Sequence, residues 1–356
     1  MPPTIIKSCR TSLLTAPLIQ PFRTALGEHK NLENLLFTVE LTDGTKGYGE
    51  AAVATHITGE TVAATRKNLQ DAGRRLEGKE ASNYLLHSLA LHRRLPNNKA
   101  AVAAAETALL DVLTRQRRIP LWKIFGKVPH RLQTDITIVI ADLAETEESV
   151  RRFYKQGFRA FKVKIGRNEE LDLERVRAVK RLAPGCPIYL DANQGYSADQ
   201  TLRFVRKLKR AGIRPALLEQ PVPKADYEGL KRVTRLAGVP VCADESASSL
   251  PDAARIIRDK AAHVINIKLM KTGLLHSCEI AFRARVSGIK LMIGGMMETS
   301  LAMTAAAHLA AGLGGVEFVD LDTPFFLKGR EKNPCLNSRG VYDVRKIKSG
   351  IGIIPG

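Results

Sequence analysis

Ala160-Phe161-Lys162-Val163-Lys164-Ile165, Ile188-Tyr189-Leu190-Asp191-Ala192-Asn193, Leu217-Leu218-Glu219-Gln220-Pro221, Val241-Cys242-Ala243-Asp244-Glu245-Ser246 and Val264-Ile265-Asn266-Ile267-Lys268 are five short apolar runs that each lead into charge. From Lys164 the steps to Asp191, Glu219, Asp244 and Lys268 are 27, 28, 25 and 24 residues. One strand-plus-helix unit of a parallel barrel takes about 25 to 30 residues, so equal steps of that size deliver one side chain per strand to a single rim. Three carboxylates then converge with three lysines. Such a set suits metal-assisted acid–base chemistry on an acidic C–H bond.

Outward from this ladder the same rhythm continues. Thr134–Ala141 precedes it, and Lys290–Ile293 and Glu317–Asp320 follow, making eight candidate strands, most of them separated by amphipathic helices. That pattern predicts a closed parallel barrel rather than an open sheet. Before residue 129 the pattern differs. Leu35–Leu41, the turn Asp43-Gly44 and Gly47–Ala51 read as a hairpin, and Thr61–Leu95 and Ala100–Gln116 carry helical periodicity. After Lys328 only strand-like pieces remain, Val341–Val344 and Ile351–Ile354, which are expected to return to the N-terminal region. The 356 residues accommodate a barrel of about 250 residues with a smaller domain of about 100.

Lys162 and Lys164 are two apart on a strand, so their side chains share a face. Mutual repulsion together with a nearby divalent ion is expected to lower an ammonium pKa and make one lysine a usable base. Asp191, Glu219 and Asp244 form an oxygen-rich set suited to Mg²⁺, and the lack of histidine among these rungs argues against zinc. Lys268, on the sixth strand, faces the second strand across the barrel. Two lysines on opposite rims can take a proton from one face of a carbon and return one to the other.

The motif set Lys162-Val163-Lys164, Asp191-Ala192-Asn193-Gln194-Gly195, Glu219-Gln220-Pro221, Ala243-Asp244-Glu245-Ser246 and Asn266-Ile267-Lys268-Leu269 resembles the muconate lactonizing enzyme subgroup of the enolase superfamily, over nearly the whole chain. The resemblance implies an α/β protein: an α+β N-terminal capping domain, residues 1–128 with the C-terminal return 329–356, on a (β/α)7β TIM-like barrel, residues 129–328. It further implies Mg²⁺ on Asp191, Glu219 and Asp244, an acid/base pair in Lys164 and Lys268, and Lys162 holding the substrate carboxylate. An α-proton beside a carboxylate is very weakly acidic, so positive charge is needed where negative charge develops.

The subgroup includes cycloisomerases, o-succinylbenzoate synthases, N-acylamino acid racemases and dipeptide epimerases, which share this machinery. Phe318-Val319-Asp320-Leu321-Asp322 discriminates among them. Asp320 and Asp322 would lie on one strand face, and D-x-D here resembles the signature by which dipeptide epimerases bind a free amino terminus. The expected activity is therefore an Mg²⁺-dependent epimerase inverting the α-carbon of the C-terminal residue of a dipeptide. Thr137, Met296, Met297 and Glu298 are further substrate contacts suggested by the family, with a structural role for Glu298 equally open. Epimerases selective for L-Ala-D/L-Glu carry Pro-Phe-x-Thr-Ala-Leu followed by arginine, whereas this chain reads Pro21-Phe22-Arg23-Thr24-Ala25-Leu26-Gly27-Glu28. Gly27 in place of that arginine removes the reason to prefer an acidic second residue. A neutral or cationic residue is expected there, with Glu28 as a contributor; L-Ala-D/L-Glu and the other subgroup activities are the alternatives.

The formal net charge of +19, 55 basic minus 36 acidic residues, first suggests a polyanion partner. The basic residues are dispersed, however, as in Arg66-Lys67, Arg175 to Arg181 and Arg203 to Arg210, read as solvated helix faces without aromatic interleaving. Nucleic-acid binding is not expected. Leu301–Gly315 is interrupted and too short to span a bilayer, and Met1–Arg10 lacks the order of a signal peptide. Five scattered cysteines without a C-x-x-C pair fit a reduced interior, so a cytoplasmic location is expected. Barrels of this subgroup often associate, leaving a homo-oligomer open.

Overall fold

The computed structural model describes residues 3–126, 130–329 and 332–355. The expected domain boundary at 128/129 lies outside the described residues. The N-terminal part is a three-stranded antiparallel sheet of β1 (Ile6–Thr24), β2 (Gly27–Leu41) and β3 (Lys46–Ala51). It is followed by helices α1 (Thr55–Thr58), α2 (Val62–Leu76), α3 (Tyr84–Arg94) and α4 (Lys99–Gln116). The helical periodicity read from Thr61 to Leu95 belongs to two helices, α2 and α3. Between them Gly78 takes a left-handed φ of 75° and its N–H donates to Ile6 O, so the chain leaves helical geometry to edge the sheet.

The first hairpin is far longer than the Leu35–Leu41 strand suggested. β1 and β2 stay paired out to Thr24 and Gly27, with a register shift between Pro17 and Phe22. Its tip leaves the cap and reaches the barrel, where Arg23 O accepts from Ile140 N–H at 3.1 Å. α4, rich in buried alanine, packs closely on β3: a Cβ added at Gly49 would lie 1.9 Å from Ala104 O, and one at Gly47 2.3 Å from Val112 N. Only glycine permits that approach.

After the two-residue β4 (Leu132–Gln133) come eight parallel strands: β5 (Ile136–Ile138), β6 (Phe161–Lys164), β7 (Ile188–Asp191), β8 (Leu217–Glu219), β9 (Val241–Ala243), β10 (Val264–Ile267), β11 (Lys290–Gly294) and β12 (Val316–Asp320). They are hydrogen-bonded in chain order, and Asp135 N–H donates to Val319 O at 3.0 Å, tying the first strand to the last. The outer helices are α5 (Leu143–Gln156), α6 (Glu169–Leu182), α7 (Ala198–Arg210), α8 (Tyr227–Leu236), α9 (Leu250–Asp259), α10 (Leu269–Val286) and α11 (Ser300–Leu313). All eight expected strands are present, and the barrel on an α+β cap is the architecture read from the sequence. Among the described residues no helix is long and apolar enough to cross a membrane.

The C-terminal return pairs β13 (Val341–Tyr342) with β4. The second strand-like piece, Ile351–Ile354, is not a strand. Its backbone groups bond to side chains instead: Ile351 N–H donates to Asp111 Oδ1 at 2.7 Å, and Arg115 Nη2 donates to Ile353 O at 2.7 Å. Both partners belong to α4, so the tail does return to the cap.

Candidate active site

Parallel register puts the ladder side by side: Lys164 opposite Asp191, and Asp191 opposite Glu219, with Asp244 following β9. The apolar runs are short because both faces are buried, and each strand ends as its charged residue emerges at the barrel mouth. Left-handed backbone at Asn193, Gln194 and Gln220 turns the chain sharply after two of these strands.

Four lysines meet the three carboxylates. Lys162 Nζ is 2.9 Å from Asp191, 2.8 Å from Glu219 and 2.7 Å from Asp320; Lys164 Nζ is 2.7 Å from Asp191; Lys268 Nζ is 2.8 Å and Lys271 Nζ 2.6 Å from Asp244. Asn266 Nδ2 donates to Glu219 Oε1 at 2.8 Å, and Lys164 also donates to Asn193 Oδ1 at 3.1 Å. Burial pushes Asp191 up, but Lys162 and Lys164 outweigh it and hold the group below the usual carboxylate range. Burial likewise opposes Lys268 and Lys271 at Asp244, which also ends low. Glu219 is pushed up to about 7, by burial first and by Asp191 second.

The expected lowering concerned one lysine of the Lys162/Lys164 pair beside a divalent ion; at Lys162 the surrounding carboxylates act in the opposite sense. Burial works against the charged form of Lys162, yet Asp191, Asp320 and Glu219 raise it well above its ordinary value. Lys268 is raised in the same way by Asp244 and Glu219. The nearest neighbours are carboxylates rather than the second lysine, and they decide the sign.

The carboxylates fit a hard divalent cation. All three are buried, come from adjacent strands and offer oxygen only. Glu219 Oε2 has Lys162 within ion-pair distance but makes no hydrogen bond, so a buried oxygen is left without a directed partner. Among the described residues the tightest carboxylate group lies elsewhere: oxygens of Asp135, Asp320 and Asp322 fall within 4.8 Å of one another. That cluster holds the D-x-D pair and extends beneath it. Asp135 and Asp322 of that cluster are pushed up by burial and by the neighbouring aspartates, Asp322 to about 7.

Above the carboxylates lies a pocket lined from the barrel by Thr137, Lys164, Asn193, Lys268, Gly295, Met296, Met297, Asp320 and Asp322. β6 and β10 stand four strands apart, so Lys164 and Lys268 enter from opposite sides. Asp322 is not on the strand as expected. β12 ends at Asp320, and Asp322 takes helical angles (φ −93°, ψ −8°) while accepting Thr137 N–H at 2.6 Å, which still aims it into the pocket. Two other expected residues are off the pocket wall. Lys162 is sealed among carboxylates, and Glu298 Oε1 accepts Met296 N–H at 2.6 Å beneath the wall.

The cap closes the pocket with Phe22, Leu26, Leu32, Ile57 and their neighbours. Phe22 packs edge-on to Phe326 at 5.2 Å and covers the Lys164 ammonium at 6.0 Å. Gly27 and Glu28 do not line it. Glu28 is paired with Arg23 at 3.1 Å and Lys30 at 3.8 Å, and Arg23 also holds Glu145 at 3.1 Å. Among the described lining residues from the cap there is no lysine or arginine. Asp135, Lys271 and Phe22 were not singled out from the sequence. Asp135 had a readable signal, two residues before Thr137 on the same strand face, as did Lys271, one helical turn after Lys268.

Comparison with known proteins settles the lineage. Residues 10–126 match the family described as mandelate racemase / muconate lactonizing enzyme, N-terminal domain, and residues 145–355 that described as enolase C-terminal domain-like. The chain belongs to the mandelate racemase/muconate lactonizing enzyme family of the enolase superfamily. A hydrophobic dipeptide epimerase of Citrifermentans bemidjiense is 47% identical over 359 residues, 98% of each chain. An L-Ala-D/L-amino acid epimerase of Populus trichocarpa is 40% identical, over 90% of this chain and 78% of that one. A crystal structure of the dipeptide epimerase of Enterococcus faecalis, complexed with Mg and L-Leu-L-Tyr, superposes with a TM-score of 0.93 at 30% identity, covering 98% of this chain and 99% of that one. The expected recognition, an isomerase of the dipeptide epimerase branch, stands with these relatives.

Proposed function

We propose that the protein is an Mg²⁺-dependent dipeptide epimerase that inverts the α-carbon of the C-terminal residue, and that this residue is neutral and apolar. The observation that carries the reading is one pocket with Lys164 and Lys268 on opposite sides, the Asp320/Asp322 pair between them and apolar cap residues above. Lys164 and Lys268 are each placed to remove the α-proton from one face and return a proton to the other. Asp320 and Asp322 take the amino terminus, and Met296, Met297 and Thr137 border the peptide. Asp191, Glu219 and Asp244 would hold Mg²⁺, which when bound supplies positive charge against the negative charge that develops as the α-proton leaves. Lys162 contributes a fixed cation behind that charge.

Specificity rests on the cap wall. Glu28 is neutralised by Arg23 and Lys30, which leaves Glu33 as the carboxylate of the wall, and among the described cap residues that line it no lysine or arginine stands to pair an acidic side chain. The names of the relatives from Citrifermentans and Enterococcus support the apolar choice. The division into a cap, residues 1–128 with 329–356, and a barrel, 129–328, belongs to the same proposal. The test is α-proton exchange in D₂O with Mg²⁺ across an L,L-dipeptide library, followed by mass spectrometry. Mg²⁺-dependent labelling led by apolar C-terminal residues is expected. Labelling led by Ala-Glu would overturn the specificity, and no labelling of any dipeptide would move the activity to the lyases of the subgroup.

A further inference from the structure

We propose that Arg175 is a positioning residue for Lys164 alone, and so governs proton transfer on one face of the substrate and not on the other. This rests on the two-lysine reading above. Read from the sequence, Arg175 counted among the solvated arginines of an outer helix; in the structure it is completely buried. Its guanidinium lies between α5 and α6 and reaches the ends of the first two barrel strands. Nη1 donates to Lys164 O at 2.7 Å, Nη2 to Val139 O at 2.5 Å, and Nε to Thr146 Oγ1 at 3.0 Å.

Asp172 holds the other side of this plug. Its Oδ1 accepts from Arg175 Nη1 at 3.2 Å, while Oδ2 accepts Gly166 N–H and Tyr196 O–H, each at 2.8 Å. The peptide after Lys164 and the one after Gly166's neighbour Ile165 are therefore both fixed from outside the barrel by one buried ion pair. Burying a guanidinium is costly unless its donors are satisfied, and here two of its acceptors are backbone carbonyls at the rim.

Lys268 is held differently. Its carbonyl accepts from Lys271 N–H at 3.0 Å and Thr272 Oγ1 at 3.4 Å, both within the first turn of α10. Among the described residues, the hydrogen bonds of Arg175 go to Thr146, Lys164, Asp172 and Val139, on the other side of the barrel. A tilt of about 10° in the peptide after Lys164 would move an ammonium about 6 Å from the backbone by about 1 Å, and a misplacement of that size costs roughly 100-fold in a proton-transfer step.

The experiment follows deuterium uptake and inversion separately for each epimer of one dipeptide, in wild type, Lys164→Ala, Arg175→Met and Arg175→Lys. Lys164→Ala identifies the epimer that depends on Lys164. In Arg175→Met that epimer is expected to lose exchange roughly 100-fold, while the opposite epimer exchanges within about threefold of wild type without inverting, and KM stays within about threefold. Arg175→Lys keeps the charge but reaches fewer of the acceptors, so the same asymmetry of about tenfold is expected and decides the matter if the methionine variant does not fold. Equal losses for both epimers, or inversion that keeps pace with exchange, would overturn the inference while leaving the epimerase reading intact. A wild type that exchanges neither epimer would overturn both.

Discussion

The barrel rim and the cap wall bound the same pocket and are built on opposite principles. On the rim Lys164, Asp191 and Asp244 stand at the ends of neighbouring strands, and each has a charged or amide partner within 3.1 Å. On the wall the pocket-facing residues of the hairpin tip are Phe22, Thr24 and Leu26, while the tip's charges, Arg23, Glu28 and Lys30, pair with one another and with Glu145 outside the pocket. A rim residue cannot change without leaving a buried charge unpaired, whereas a wall residue can change with little effect on its neighbours. On the proposed reading, reaction type sits on the rim and substrate choice on the wall.

The rim should fail in halves. Lys164→Ala and Lys268→Ala are each expected to lower epimerisation by roughly 1,000-fold, within the usual range for loss of a general acid–base group. Each variant should still exchange the α-proton of the epimer that faces the surviving lysine, and the two should keep opposite epimers. If one variant abolished exchange from both epimers while remaining folded, a single lysine would be doing both transfers, and the symmetry assigned to the rim would be lost.

This division also explains what could be read from the sequence. The eight strands and the ladder were legible because a parallel barrel imposes one step length, and its short runs end where charge reaches the mouth. That Asp320 and Asp322 meet at one mouth was legible, but their geometry was not, since nothing in Asp320-Leu321-Asp322 announces that the strand stops at Asp320. Arg175 could not be read: an arginine inside Glu174-Arg175-Val176-Arg177 looks like its exposed neighbours until the helix is docked and Lys164 O is found beneath it. The pairing of Glu28 with Arg23 is equally a product of the hairpin tip, where residues five apart come to face each other across the turn. Ile351–Ile354 read as a strand because two buried isoleucines alternate, yet α4 supplies the partners for its backbone.

A seam between barrel and cap can be weakened by acid. His308, on α11, accepts Trp122 N–H at Nδ1 and donates from Nε2 to Ile351 O, both at 3.1 Å, so the neutral ring joins the barrel to the end of the cap and to the C-terminal return. Burial pushes its pKa from 6.5 down to about 4. Between those values the unfolded chain binds a proton that the folded one refuses. The contribution is thus full above about pH 6.5 and declines as the pH falls to about 4, a total of about 3 kcal/mol. Urea unfolding at a series of pH values should show this slope in wild type and a correspondingly flatter one in His308→Gln. Identical slopes would mean that the seam does not titrate.

The smallest expected effect is the sharpest test of the wall. Leu26 lies at the hairpin tip, partly exposed and against the pocket, so Leu26→Arg would add an arginine to a cap wall that has no lysine or arginine among its described lining residues. Glu33, also on the wall, would compete for it, and the variant is best made together with Glu33→Gln. A charge-assisted hydrogen bond in a partly solvated site is worth about 1.5 kcal/mol, so kcat/KM for a dipeptide ending in glutamate should rise about tenfold relative to one ending in leucine. The rim should not notice: for a dipeptide ending in alanine, which reaches neither new side chain, the exchange rates of both epimers should stay within about twofold, given that distant sites act independently. A changed preference with unchanged alanine exchange would establish that the wall selects and the rim reacts. If alanine exchange fell along with leucine turnover, the hairpin tip would be acting on Lys164 through Phe22, and substrate choice and chemistry would be one device instead of two.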